Sequence, residues 1–172
     1  MSDSPFRLTD AERAKVLLEC WWSHDGQWFL KTAAAHGLAD AMERNEDAIE
    51  AMGRIEMRKL HLAMGSPAVT DAEGFLRMHQ AAQQLIGWPA SATRLDGDGF
   101  VVEMDDCRVW QMTEAAGLTD VAPGCRGALR RQGAWASVFF DPERFSWTRE
   151  FGRPDGDASC GYRFSLTPTD HG

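Results

Sequence analysis

A change of hydrophobic period near residue 88 constrains this chain more than any other feature. From Thr9 to Gly87 the apolar residues recur at helical spacing, and after Trp88-Pro89 they alternate in short runs broken by turn residues. Periods of 3.6 and 2 belong to different elements, so the chain has to combine helices with a sheet. In the first part, Thr9 with Glu12 three residues later is a capping box ahead of Val16, Leu17, Cys20 and Trp21. Gly37 marks a stop or bend, and Leu38 to Met64 reads as a second, long helix ending at Gly65. Thr70 and Glu73 repeat the capping box for a third helix that reaches Leu85 and Ile86 and closes at Gly87.

In the second part, Leu95 to Phe100 reads as a hairpin, with Asp96-Gly97 supplying the positive-φ turn. Val101 and Val102 open a strand ending near Asp106, and Cys107 to Gly117 reads as a short helix. Pro123 to Phe140 is ambiguous, but Leu129, Trp135, Ala136 and Phe139 favour a helix. Phe145, Trp147, Arg149 and Phe151 alternate as a strand does, as do Cys160, Tyr162, Phe164 and Leu166. The expected class is α+β: an N-terminal helical half of about three helices packed on a small C-terminal antiparallel sheet with intervening helices. The whole of 1–172 is expected to be one domain, with its helical half over 9–87 and its α+β half over 88–167.

Composition narrows the function classes. A chain of 172 residues, 44% apolar and 26% charged, has room for one packed domain and is not disordered in character. Its longest apolar runs fall far short of the ~20 residues a membrane helix needs. Asp3, Asp10, Glu12 and Glu19 near the start, with no apolar stretch before a small-residue cleavage site, argue against a secretory signal and for the cytoplasm. A net charge of −8 disfavours nucleic acid and anionic membranes, which both require a basic footprint. The four cysteines, 20, 107, 125 and 160, then read as reduced thiols, and none forms a Cys-x-x-Cys pair. Phosphate-loop, Gly-x-Ser-x-Gly and His-Glu-x-x-His motifs are absent.

Seven Trp and nine Phe against a single Tyr point to an aromatic core or an aromatic-lined pocket. Trp21, His24 and Trp28 share a helical stripe, where two indoles would desolvate the imidazole and keep it neutral. Such a ring can act as general base or metal ligand, or equally sit in a core bonded to a carbonyl. Asp25 could orient it or work alone. Met42, Asn45, Ile49, Met52 and Glu56 share another stripe, so Asn45 and Glu56 need polar partners from a helix, a second subunit or a ligand. About 16 Å of helix separates those two, too far for one small ligand to touch both. Glu43, Glu46 and Glu50 fall on the outer, solvated face. Cys107 at a strand-to-helix junction and Cys125 before Arg126 are settings that favour a thiolate, and Cys160 opens the last strand. Zinc or iron could be held by Cys107, Cys125, Cys160 and His24, although no spacing supports a metal site directly and the metal ligands stay unknown. Arg126, Arg130 and Arg131 either clamp a carboxylate or form a solvated face.

The run His24-Asp25-Gly26-Gln27-Trp28-Phe29, with Gly37-Leu38, Asn45-Glu46 and Arg54-Ile55-Glu56, resembles the 2-aminothiazoline-4-carboxylate hydrolase-like family and cytosolic relatives sharing an HDGxWF motif. Cys107, Gly117-Leu118, Cys125, Asp141-Pro142, Pro154-Asp155 and Cys160-Gly161-Tyr162-Arg163-Phe164 extend the likeness from about Leu17 to Leu166. Phe151-Gly152-Arg153 stands where some relatives carry a further Cys, against a four-thiolate site. The resemblance implies hydrolysis at the C=N carbon of a carboxylate-bearing thiazoline in the cytosol. It would use His24 or Asp25 as base, Asn45 as donor, Arg126 as anchor and Cys107, Cys125 or Cys160 as nucleophile. Trp21, Trp28 and Glu56 would complete the substrate site, in a pocket between the helical half and the sheet. The C-terminal half is also similar to the 4-vinyl reductase domain, which implies a non-catalytic ligand or metal sensor. A third expectation is an interaction protein with an aromatic interface, such as a homodimer.

Overall fold

The computed structural model describes residues 7–88, 90–95, 97–118 and 125–167; the side chain of Cys125 lies outside this set, as do Pro89, Asp96 and Pro123. The chain divides into two compact units, 1–42 and 43–172. The first holds helix α1, Asp10–His36, and the start of α2, Leu38–Ala63. The α1 capping box is formed: Glu12 N–H donates to Thr9 Oγ1 at 3.2 Å, and Thr9 N–H donates to the Glu12 carboxylate at 2.8 Å. The Thr9 backbone N–H, and after it the Thr9 hydroxyl, hold the Glu12 carboxyl below its usual range. Gly37 ends α1 at φ 89°, a conformation that a side chain would strain.

The second unit carries the rest of α2, helix α3 (Ala72–Ile86), strands β1 (Ser91–Arg94) and β2 (Gly99–Met104), helices α4 (Arg108–Ala115) and α5 (Cys125–Ala136), and strands β3 (Phe145–Phe151) and β4 (Cys160–Leu166). The fold class is the α+β expected. The cap of α3 is Asp71, one residue later than the Thr70 box: Asp71 Oδ1 accepts from Gly74 N–H at 2.7 Å. Asp98, from the hairpin, accepts from Ala72 N–H at 3.1 Å and ties the hairpin to the same helix end. Gly87 closes α3 in the left-handed region.

The strands form one antiparallel sheet in the order β1-β2-β4-β3, so the last strand lies inside it. Phe100 pairs with Phe164, Val102 with Tyr162, and Trp147 with Phe164 from the other side. The alternation on β2 and β4 sends Phe100, Val102, Met104, Tyr162 and Phe164 to one buried face, which α3 and α5 cover. Phe75 of α3 is the hub of that core, within ring contact of Phe100, Phe140, Trp147 and Phe164. No helix among the described residues is long and apolar enough to cross a membrane.

Candidate functional site

The site begins with how α2 and α5 meet. A Cβ on Gly53 would stand 3.0 Å from Ala134 Cβ and 3.1 Å from the Arg131 carbonyl, so the two backbones approach closely there. Near the other end of α5, Gly127 receives the Ile49 side chain in the same way. Partners rise together along the two helices, Glu46 with Arg126, Glu50 with Arg130 and Glu56 with Trp135, so α2 and α5 run in the same direction. Repeats of four residues on both helices align the charges.

Of the acidic members Glu46 is buried and Glu50 half-buried, and the basic members are more exposed than either. Glu46 is only 5% exposed at its side chain; Arg126 Nη2 donates to its Oε2 at 3.0 Å, and Nε stands 2.9 Å from Oε1. Glu50, 28% exposed, accepts from Arg130 Nη1 at 2.9 Å and from Arg54 on its own helix. Both carboxylates had been expected on a solvated face with Glu43. The buried face of α2 runs instead through Glu46, Gly53, Glu56 and Met57, while Met52 and Ile55 are exposed. Compensation by arginines is what permits that burial.

Over these pairs opens a groove of about 420 Å³. Helices α2 and α5 supply Glu46, Glu50, Arg54, Arg126 and Arg130, while Pro142, Phe145 and Trp147 line it from β3 and the turn before it. Three guanidiniums against two carboxylates leave one positive charge. Such a lining can hold a flat molecule against the aromatic rings and a carboxylate at the arginines.

Trp147 also belongs to what lies beneath. Its ring stacks on the fully buried His79 at 5.2 Å, with Trp135 edge-on at 5.2 Å and Phe75 and Phe100 beyond. His79 Nε2 donates to Gln132 Oε1 at 3.1 Å. Burial pushes the imidazole down to about 4, partly offset by that bond, so the ring is neutral. On the far side of Trp135, the indole N–H donates to Glu56 Oε2 at 3.0 Å, and the buried Arg131 Nε lies 3.6 Å from the same oxygen.

The candidates from sequence fall in several places. His24, Asp25, Trp21 and Trp28 lie on α1 in the first unit. His24 is exposed and Trp28 is 65% exposed, so the desolvated imidazole is not found. The reason is rotational: Trp22 is the buried residue of α1, and His24, two positions on, points about 200° away from it. Asp25 and Trp21 are half-buried. Cys107 caps α4 and is half-buried; Cys160 is buried in β4, where its Sγ accepts from Arg153 N–H at 3.4 Å. The side chain of Cys125 lies outside the described residues. No group of three His, Cys, Asp or Glu among the described residues is placed to hold a metal ion. Asn45 is half-buried and does not line the groove. Glu56 finds its partners on α5. Arg126 does line the groove, with its guanidinium already engaged by Glu46. His79 and Gln132 were outside the candidate set, although Phe75, His79, Ala82 and Ile86 step by four, three and four along an otherwise apolar stripe.

A family model described as "Family of unknown function (DUF6125)" matches residues 11–130, well over half of the chain. The chain belongs to this family. Comparison with curated proteins finds no match. The DUF6125 segment contains the whole charged side of the groove, from Glu46 to Arg130, and stops before Phe145 and Trp147.

Proposed function

We propose that this chain binds a small, flat, carboxylate-bearing molecule in the groove formed by α2, α5 and β3. The observation that carries the reading is the lining itself: three guanidiniums beside one buried and one half-buried carboxylate, together with Phe145 and Trp147. Among the described residues no Cys or His lines the groove, and its two carboxylates are paired with arginines, which favours binding over hydrolysis. The hydrolase resemblance supplies the first ligand to try, a thiazoline- or thiazole-4-carboxylate. The reading is of a cytoplasmic protein, in which the exposed Cys20 stays a thiol.

Titration calorimetry with thiazole-4-carboxylate and its neutral carboxamide tests the reading. The carboxylate should bind with Kd on the order of 0.1–1 mM for so few atoms, and the amide far more weakly. Arg54→Gln should weaken the carboxylate selectively. Equal binding of acid and amide, or binding of neither, overturns the proposal.

A second reading rests on α1, where Leu17 is 62% exposed and Trp28 65%. An interface on this face, with a second copy as partner, is favoured by that exposure. Sedimentation of the wild type against Trp28→Ser tests it: a concentration-dependent dimer abolished by the substitution supports the interface, and an unchanged monomer overturns it.

A further inference from the structure

Resting on the binding reading above, we propose that Glu50 is an internal stand-in for the ligand's carboxylate, a latch that the ligand displaces from Arg54 and Arg130. The two acidic residues of the groove are not alike. Glu46 is 5% exposed at its side chain and faces Arg126 with both oxygens, at 2.9 and 3.0 Å, with Arg130 Nε farther off at 3.8 Å from Oε2. It is the floor of the site, since withdrawing it would strip a buried carboxylate of its partner. Glu50 is 28% exposed, and its two oxygens go to two different guanidiniums, Oε2 to Arg130 and Oε1 to Arg54. A carboxylate bridging two arginines at the groove mouth is the arrangement an incoming carboxylate would adopt.

Displacing Glu50 moves it toward water, because its side chain already reaches solvent and both of its partners are about half exposed. Half-exposed pairs are individually weak, so the exchange is reversible. The charge count sets the ligand class. A displaced Glu50 still stands at the groove mouth, so the count of three positive and two negative groups, one positive charge net, holds and matches a monoanion. A dianion is matched only once the charge of Glu50 has been abolished, by protonation or substitution. The site therefore selects planar monocarboxylates over dicarboxylates, and Glu50 sets that selection.

Thiazole-4-carboxylate, benzoate and phthalate are titrated into the wild type and Glu50→Gln, a near-isosteric change that removes the competing charge. The latch predicts monocarboxylate binding about tenfold tighter in the variant, as the two weak pairs no longer have to be broken. It also predicts a larger gain for phthalate than for benzoate. In the wild type, side-chain Nε–H resonances of Arg54 and Arg130 should shift on adding benzoate while that of Arg126 stays. Binding by the wild type that is equal or weaker in Glu50→Gln, or a shift confined to Arg126, overturns the latch and leaves the binding reading standing. Absence of binding to both proteins defeats the binding reading and the latch together.

Discussion

The neutral imidazole in the core makes a quantitative claim about acid stability. His79 is fully buried among Phe75, Phe100, Trp135 and Trp147, and burial lowers it to about 4, with the Gln132 bond acting in the opposite sense. In an unfolded chain the same ring titrates near 6.5. Between about pH 6.5 and 4 the unfolded state binds a proton that the folded state refuses, so stability rises with pH across that window. The contribution is fully present above about pH 6.5 and is lost progressively as pH falls toward 4. At ~1.4 kcal/mol per pH unit over about 2.5 units, it amounts to between ~3 and ~4 kcal/mol, of which about 3 kcal/mol is lost by pH 4, where the folded ring is itself half protonated. Carboxylates also titrate on this range, so the wild type has to be compared with His79→Gln, whose amide can still donate to Gln132 Oε1. The substitution carries a packing cost of its own, but one that is constant with pH. Urea unfolding followed by circular dichroism at pH 7, 6, 5 and 4 gives both profiles. The wild type should lose about 3 kcal/mol more than the variant between pH 7 and pH 4. Parallel profiles would show that the ring is protonated in the fold and refute the reasoning.

Two further sites separate packing from propensity and charge. An added Cβ on Gly133 meets nothing within 4 Å, so Gly133→Ala should stabilise by about 1 kcal/mol through helix propensity alone. Gly53→Ala has the same propensity gain but drives a methyl against Ala134 and the Arg131 carbonyl, and should come out neutral or destabilised by about 1 kcal/mol. Equal gains in urea midpoint for the two would refute the close crossing of α2 and α5. Glu56→Leu removes the acceptor of the buried Trp135 N–H and an ionic contact of buried Arg131, at a cost of about 3 kcal/mol by thermal or urea unfolding. A loss below about 1 kcal/mol would show that Glu56 plays no part in holding the two helices together.

Most of the fold was legible because its signals are local. The Thr9–Glu12 box, the Gly37 and Gly87 closures, and the alternation over Phe145–Phe151 and Cys160–Leu166 each depend on residues within a turn or a strand. The groove was not legible in this way, since its pairs join residues 80 apart in sequence. A hydrophobic pattern locates the buried face of a helix only when that face is apolar, and α2 buries Glu46 and Glu56 against α5 while exposing Met52 and Ile55. The stripe read from apolar positions was therefore rotated away from the true one. What does survive in the sequence is complementarity. Glu46 and Glu50 repeat at four residues on one helix, and Arg126 and Arg130 at four on another. A small residue follows each set, Gly53 seven positions after Glu46 and Ala134 eight after Arg126. Two oppositely charged pairs in the same step, each followed at nearly the same distance by a residue that lets backbones touch, are what a same-direction crossing of two helices requires. Charge register combined with small-residue register can thus place a helix pair where hydrophobic periodicity points to the wrong face.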